Sequence, residues 1–354
     1  MNEISIAMIV KNEEKILDNT LRALKDNEFN DIVIVDTGST DKTKEIAKKY
    51  TNKVYDYKWD NDFSRARNYS LTKTDNDLVL IVDADEILKS LDKDRLIRMA
   101  IQNKDKVGRI KRENAYEREG NDFVYTERVN RFFDKRMYKY EGKIHEQIIR
   151  KNSNEEYKTY NIPITFIHCG YENDEILRKD KINRNITLLK EMLKEDDKDT
   201  YVLYQLGKTY FMQGYYKEAI KYFSKALDFD LDVRLEYVQD MVESYGYALL
   251  NNEEYEKAFD LTGVYQVFKC PCDFVILIGN IYMNNGYYNE AIEEFKKATR
   301  YSTCKMKGIN DYLANYNIGV IYECMGNIDE AIKYYKKSSE YKNSKERLKV
   351  LGVK

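Results

Sequence analysis

The feature that most restricts the fold of this chain is a short apolar run that leads directly into acidic residues. The run Leu78–Val82 contains only leucine, valine and isoleucine, and D-A-D-E follows it. An uninterrupted apolar run of this length, bounded by polar residues, is typical of a strand buried on both faces of a sheet. Ligands of open α/β sheets bind beyond the carboxyl ends of such strands. We therefore expect Asp83 and Asp85 to emerge together at a ligand-binding edge, since residues two apart on an extended strand point the same way.

This pair of aspartates indicates one kind of ligand. Two carboxylates at a strand end can hold a divalent cation, and the oxygens of a diphosphate can complete its coordination. The alternative is an Asp-x-Asp in an exposed surface turn, and the motif alone leaves both interpretations open. Neither G-x-G-x-x-G nor G-x-x-x-x-G-K-[ST] occurs in the chain, so the sequence supports neither a dinucleotide fingerprint nor a P-loop.

Strands and helices alternate around this run. The predicted strands before it are Ile4–Val10, Ile32–Val35 and Lys53–Tyr57, and a helical pattern follows each of them. This alternation is typical of a parallel α/β sheet with right-handed crossovers. After Leu88 we expect a helix at Leu91–Ile101 and strands at Val107–Lys111, Phe123–Thr126 and Val129–Phe133.

Polar side chains recur where the predicted strands end. They are Glu13, Asp36, Asp83 and Asp85. Crevices at such ends hold nucleotides in many α/β proteins, and a carboxylate-rich crevice binds a nucleoside diphosphate through a metal. Arg65 and Arg67 are candidates to contact the phosphates; the alternative is that they are ordinary surface arginines on a helix.

Four segments taken together resemble the inverting family 2 glycosyltransferases of the GT-A fold. They are A-M-I-V-K-N-E-E, V-D-T-G-S-T-D, F-S-R-A-R-N and D-A-D-E, in this order. The resemblance implies that Glu13 and Asp36 contact the nucleoside of a nucleotide-sugar donor and that Arg67 lies near the nucleotide. It also implies that Asp83 approaches the ribose or the metal, and that Asp85 ligates Mg²⁺ or Mn²⁺ bound to the donor diphosphate.

The only two histidines, His145 and His168, both follow this region. The resemblance implies that His168 completes the metal site, and imidazole suits Mn²⁺ beside carboxylates; a structural role is the alternative for each histidine. Inverting transfer needs a carboxylate that takes a proton from the acceptor. Glu146 is the candidate base, although the family usually has an acidic pair where this chain has His-Glu. A surface salt bridge is its alternative role, and Glu141 and Asp134 are rival bases.

The second half of the chain repeats a pattern of small and large residues. One copy begins at Leu206-Gly207 and continues with tyrosine, alanine, phenylalanine and alanine, and two further copies begin at Ile278-Gly279 and Ile318-Gly319. A degenerate copy contains Tyr245-Gly246. The spacing is that of tetratricopeptide repeats, which predicts four helix pairs stacked into a right-handed superhelix with a concave face. We expect a GT-A domain at residues 1–172, a helical linker at 173–199 and an all-α tetratricopeptide-repeat domain at 200–354.

Composition excludes several classes of protein. The net charge is -2 and no clean basic block is present, so the sequence offers no nucleic-acid surface. No apolar run approaches the roughly 20 residues that span a bilayer. Five cysteines at irregular spacing argue against a disulfide framework and for a cytoplasmic location.

The sequence therefore predicts a metal-dependent inverting glycosyltransferase with a nucleotide-sugar donor, for which UDP is the favoured nucleotide. The transferred group would be hexosyl or N-acetylhexosaminyl. A repeat array fused to such a domain resembles bacterial enzymes that glycosylate polypeptides such as flagellin or small secreted peptides. The array would bind the polypeptide acceptor or mediate homodimer formation. The alternatives are a glycan-elongating transferase of lipopolysaccharide or surface-polysaccharide assembly, and a non-catalytic repeat scaffold.

Overall fold

The structure is a computed structural model that describes residues 4–118, 121–153, 155–169, 175–268 and 272–353. The chain forms two compact units. The first comprises the residues up to Ala115 together with Thr126–Leu188, and the second comprises Tyr116–Tyr125 together with the chain from Leu189 onward. Within the described residues, no helix combines the length and apolar character needed to cross a bilayer.

The first unit is an α/β domain. Its described strands are β1 Ile4–Val10, β2 Asp31–Asp36, β3 Val54–Asp56, β4 Leu78–Ile81, β5 Glu86–Leu91, β6 Val107–Arg118, β7 Asn121–Asp134, β8 Tyr138–Glu141, β9 Gln147–Arg150 and β10 Thr159–His168. Its helices are α1 Leu17–Asp26, α2 Thr43–Lys48, α3 Phe63–Thr72, α4 Lys93–Gln102 and α5 Glu175–Glu195. Of the predicted linker, the described part is therefore mostly α5, whose last residues belong to the second unit.

Eight of the described strands form one mixed sheet in the order β3-β2-β1-β4-β7-β6-β10-β5, and β8 pairs with β9 separately. The four strands predicted from alternation with helices are present and parallel to one another. Beyond them the sheet is no longer parallel, because β7 runs antiparallel to β4. The two strands predicted at 123–126 and 129–133 form the single strand β7. The strand β5 was not predicted, because polar residues interrupt its apolar pattern.

Burial explains why these strands form. Ile4, Ile6 and Met8 on β1 are at most 1 % exposed, as expected for a central parallel strand covered on both faces. Each such apolar side chain contributes about 1.5–3 kcal/mol when it is removed from water. On α1, the buried Thr20 hydroxyl donates to the Ala84 carbonyl at 2.6 Å. This bond holds the turn that follows β4 against the helix.

The second unit is helical. Its described α-helices are α6 Thr200–Met212, α7 Tyr216–Leu227, α8 Glu236–Asn251, α9 Tyr255–Phe259, α10 Cys272–Asn284, α11 Tyr288–Ala298, α12 Tyr312–Cys324, α13 Ile328–Lys337 and α14 Lys342–Val350. The helices α6 to α13 form the four predicted pairs, and α14 follows them. The degenerate copy has the shortest second helix, α9. A Cβ added at Gly207 would lie 2.5 Å from the Phe223 ring, which explains the pairing of small and aromatic residues in the repeat pattern.

The second unit also includes the tip of the β6–β7 hairpin. The Lys307 amide donates to the Val124 carbonyl at 2.9 Å, and Tyr125 forms an antiparallel bridge with Met306. Lys305 fixes the same loop, because its ammonium bonds Glu243 at 3.2 Å. A strand segment of the chain itself is therefore paired with the loop that precedes α12.

Candidate donor-binding site

A cavity of about 270 Å³ lies where β1, β4 and β10 end in the first unit. Strand ends, α3 and α5 all contribute to its wall. The lining residues are Ile9, Val10, Lys11, Glu13, Thr37, Trp59, Phe63, Arg67, Asp83, Ala84, Asp85, His168, Lys181 and Arg184. The structure thus brings together five of the predicted site residues, since the cavity is lined by Glu13, Arg67, Asp83, Asp85 and His168.

Asp36 is placed at the end of β2, beside Thr37 on the cavity wall. One carboxylate oxygen, Oδ1, accepts hydrogen bonds from the backbone amides of Gly38 and Ser39, each at 2.9 Å. The other oxygen is buried and has no hydrogen-bond partner among the described residues. A buried acceptor without a partner is costly, so this oxygen is suited to a ligand that offers an N–H or O–H donor.

Asp83 is held between two guanidinium groups. Its Oδ1 accepts from Arg67 Nη2 at 2.9 Å, and its Oδ2 accepts from Arg131. Burial alone would raise the pKa of Asp83, but the charges of Arg131 and Arg67 outweigh burial and keep its pKa well below the usual range. Because both oxygens are engaged, Asp83 is a poor metal ligand in this arrangement and is better suited to orienting Arg67.

Arg67 in turn links Asp83 to Glu146, whose carboxylate accepts from Arg67 Nε. Its Nη1 is buried and has no partner among the described residues. Asn68, the last residue of A-R-N, helps to bring Glu146 close to Arg67. Its side chain forms two hydrogen bonds with the backbone of Tyr140, at 2.8 and 2.9 Å. These bonds fix β8, and the segment after it, against α3.

Asp85 and His168 face each other although they are far apart in sequence. His168 Nε2 lies 3.2 Å from Asp85 Oδ2, and each side chain is 32 % exposed. Pairing of β10 with β5 sets His168 opposite Glu86, which places the imidazole beside the aspartate. The hydrogen bond to Asp85 raises the pKa of His168 and outweighs the lowering effect of burial.

The donor set of this pair fits a divalent cation. A carboxylate oxygen and an imidazole nitrogen are both ligands that Mn²⁺ accepts. Among the described residues, no group of three or more histidine, cysteine, aspartate or glutamate side chains is arranged to hold a metal. The protein therefore supplies two ligands at most from these residues, and a bound metal would take the remainder from the ligand and water.

Glu13 lies in the same cavity and has an unusual protonation behaviour. Burial raises the pKa of Glu13 to about 7; Lys181 opposes this shift, and the neighbouring charges of Asp85, Asp41 and Asp83 add to it. Its carboxylate is 3.8 Å from Lys181 Nζ. Near neutral pH, Glu13 is therefore protonated part of the time and can donate a hydrogen bond to a ligand.

The other candidates lie elsewhere. Arg65 is 68 % exposed and pairs with Asp60 at 3.1 Å, outside the set of lining residues. The side chain of Glu141 is 65 % exposed. Asp134 on β7 lies opposite Leu78 at the start of β4. Asp83 follows the other end of β4. Of the three candidate bases, Glu146 alone joins the network around Arg67.

Three cations of this region, Arg131, Lys181 and Arg184, were not predicted from the sequence. Arg131 lies on β7, and the structure alone aligns that strand with β4. The two cations of α5 lie in a segment that the charged, helical pattern predicts as a linker. A spacing of three residues, which places Lys181 and Arg184 on one side of the helix, was the only local signal available.

The fold is an α/β domain with a cavity at the ends of its strands, followed by paired helical repeats. Comparison with known families agrees: residues 5–179 match the model of glycosyl transferase family 2, and residues 200–232 match that of the tetratricopeptide repeat. Residues 278–351 match a domain of unknown function. The N-terminal domain therefore belongs to the family 2 glycosyltransferases, and tetratricopeptide repeats follow it. This confirms the predicted GT-A and repeat classes.

The similarity to individual curated proteins extends over only part of each of those proteins. The chain is 30 % identical over 243 residues to the SPbeta prophage-derived glycosyltransferase SunS of Bacillus subtilis. The matched region covers 64 % of this chain and 53 % of SunS. It is 26 % identical over 236 residues to a TPR repeat-containing protein of Synechococcus elongatus, covering 64 % and 57 %. The chain thus spans about half the length of these curated relatives. A crystal structure of MamA is 28 % identical, with 49 % of this chain and 96 % of that chain covered and a TM-score of 0.38.

Proposed function

We propose that this chain is a metal-dependent inverting glycosyltransferase that uses a UDP-linked sugar. The observation that carries the proposal is a pair of buried polar atoms without partners among the described residues, Asp36 Oδ2 and Arg67 Nη1. The first needs a donor and the second needs an acceptor. A uracil ring offers its N3–H to the aspartate, and a diphosphate oxygen suits the guanidinium. Cytosine does not fit in the same way, because its N3 is an acceptor.

Asp85 and His168 are the residues that would hold Mn²⁺ or Mg²⁺. When bound, the metal would supply positive charge to the departing nucleoside diphosphate. Asp83 keeps Arg67 in place for the nucleotide, and Glu13 is suited to a sugar or ribose hydroxyl. Glu146 remains our proposed base, since it is only 11 % exposed and is anchored to the same arginine.

We propose a polypeptide acceptor because tetratricopeptide arrays commonly present a concave surface to extended chains. The loop at Met306–Lys307 is already paired with the hairpin tip, so the acceptor must use other parts of the array. Homodimer formation is the second proposed role of the repeats. The described cysteines are free, which supports our proposal of a cytoplasmic location.

The test of the donor is a thermal-shift titration with nucleoside diphosphates, with and without Mn²⁺. A ligand that binds only the folded state stabilises it by RT ln(1 + [L]/Kd). We expect a dose-dependent response to UDP that requires the metal and disappears in Asp85→Ala. Asp94→Ala, which removes an exposed carboxylate on α4, is the matched control. An Asp85→Ala protein that still responds normally would contradict the metal site, and a response to no nucleotide would favour the scaffold alternative.

The test of the acceptor compares two substrate classes. UDP-sugars labelled in the sugar are incubated with unstructured peptides that contain serine, threonine and cysteine, and in parallel with oligosaccharides. Mass spectrometry of the products identifies the modified class. Label found only in the oligosaccharides would overturn the polypeptide proposal and favour glycan elongation. Light scattering on the same sample gives the oligomeric state.

A further inference from the structure

Among the residues that line the cavity, the family motifs contribute two cations, Arg67 and the exposed Lys11. Arg67 is the only basic residue of the A-R-N segment that lines the cavity, and two carboxylates, Asp83 and Glu146, already share its charge. Two further acids, Glu13 and Asp85, also line the cavity. A nucleoside diphosphate that enters here needs additional cations besides a metal.

Helix α5 brings two such cations to the wall. Lys181 and Arg184 both line the cavity, one helical turn apart, in a part of the helix that belongs to the first unit. They lie beyond residue 179, where the match to the transferase family model ends. The family motifs therefore do not account for them.

The surroundings of the Arg184 guanidinium suit the binding of an anion. This guanidinium lies 5.2 Å from the centre of the Phe63 ring, a distance at which the face of the ring attracts a cation. The Arg184 side chain donates to the Asn185 side-chain oxygen at 3.1 and 3.3 Å, and none of the described carboxylates pairs with it. Lys181 is only loosely engaged, at 3.8 Å from Glu13. A guanidinium without a carboxylate partner is well suited to bind two phosphate oxygens at once.

We infer that Lys181 and Arg184 of α5 bind the diphosphate of the donor, and that this helix is part of the donor site and more than a connection to the repeats. The inference rests on the proposed function, because it requires a nucleoside diphosphate in the cavity. Arg184 contributes the stronger, paired contact, and Lys181 contributes a point charge that also compensates Glu13. Together they stabilise the charge that the nucleotide carries as it leaves.

The test separates phosphate contacts from nucleoside contacts. Binding of UDP and of uridine is measured by calorimetry, with Mn²⁺ present, for the wild type, Arg184→Ala, Lys181→Ala and Lys194→Ala. Lys194 is exposed on the same helix and serves as the control. We expect Arg184→Ala to weaken UDP binding about tenfold, the loss of one charge-assisted contact, with uridine binding unchanged. Arg184→Lys should recover part of the loss, and high salt should reduce the difference between wild type and variant.

Other outcomes would overturn the inference. Equal losses for UDP and uridine would mean that α5 only supports the shape of the cavity. Unchanged UDP binding in Arg184→Ala and Lys181→Ala, with transfer reduced, would place these cations on the acceptor side. A wild type that binds neither UDP nor uridine would instead refute the proposed function itself, and the inference with it.

Discussion

Replacing Asp83 with asparagine removes the charge that keeps two buried guanidinium groups together. The side chains of Arg67 and Arg131 are each 8 % exposed, and both bond the Asp83 carboxylate. One opposite-charge pair at about 4 Å is worth roughly 4 kcal/mol at an effective dielectric constant near 20. Part of this is offset because the carboxylate no longer has to be desolvated. Removal of one partner from a buried ion pair costs about 3–5 kcal/mol in practice, and this is the destabilisation we expect.

The assay can follow the first unit alone. Trp59 is the only tryptophan of the chain and lies in the first unit, so its fluorescence reports the unfolding of that unit. For a domain of this size, each kcal/mol shifts the melting temperature by about 2–4 °C, so Asp83→Asn should lower it by roughly 6–20 °C. Asp85→Asn is the matched control. Because Asp85 is 32 % exposed and pairs with His168 alone among the described side chains, its loss should cost less than about 1 kcal/mol.

The dependence on pH provides the refuting result. The pKa of Asp83 is lowered in the folded state, so its contribution is fully present above the unfolded value of about 3.9 and is lost as pH falls toward the folded value. The stability difference between wild type and Asp83→Asn should therefore be constant near neutral pH and shrink below about pH 4. A difference under about 1 kcal/mol at pH 7, or one that does not shrink in acid, would show that the guanidinium groups do not depend on this carboxylate.

Three further predictions concern the metal pair and the repeats. Metal-dependent UDP affinity should rise with pH through the raised pKa of His168, because a metal ligand must lose its proton; titrations at several pH values should give a flatter profile for His168→Asn. Gly207→Ala should destabilise the repeats by about 1–2 kcal/mol through overpacking, whereas Gly263→Ala, with open space around it, should be neutral in urea unfolding followed by circular dichroism. Lys305→Met should cost about 3 kcal/mol in the same assay, since it leaves the largely buried Glu243 carboxylate of α8 without its cation, whereas Asp240 keeps Lys208; a loss below about 1 kcal/mol would contradict the pairing of Lys305 with Glu243.

The local sequence was sufficient for several of these elements. β1, β2 and β4 are continuous apolar runs, and such runs are typical of strands covered on both faces. The residues that end them, including Asp36, Asp83 and Asp85, were predicted at a ligand-binding edge because parallel strands end at one side of a sheet. The repeats could also be predicted from the local sequence, because each small residue packs against a large one at a fixed spacing within one helix pair.

The pairing of strands that are distant in sequence could not be predicted from the local sequence. β5 and β10 have weak or interrupted patterns. Their places in the sheet, β5 at the edge and β10 between β6 and β5, depend on which strands they pair with. The hairpin tip is a further case, since nothing in its own sequence indicates that it pairs with a loop before α12. The neighbour of a strand depends on the packing of the whole sheet, and this dependence produces no periodic pattern in the sequence of the strand itself.

By itself, the sequence determined the kinds of element, the order of the two architectures and the chemical character of the strand-end residues. The tertiary structure alone decided their partnerships. It placed His168 beside Asp85 across 83 residues and Asp83 between Arg67 and Arg131. It also made the helix that was expected as a linker part of the wall of the strand-end cavity. The physical reason is that hydrophobic periodicity acts within a single helix or strand, whereas an ion pair forms only after folding has brought distant segments within about 4 Å.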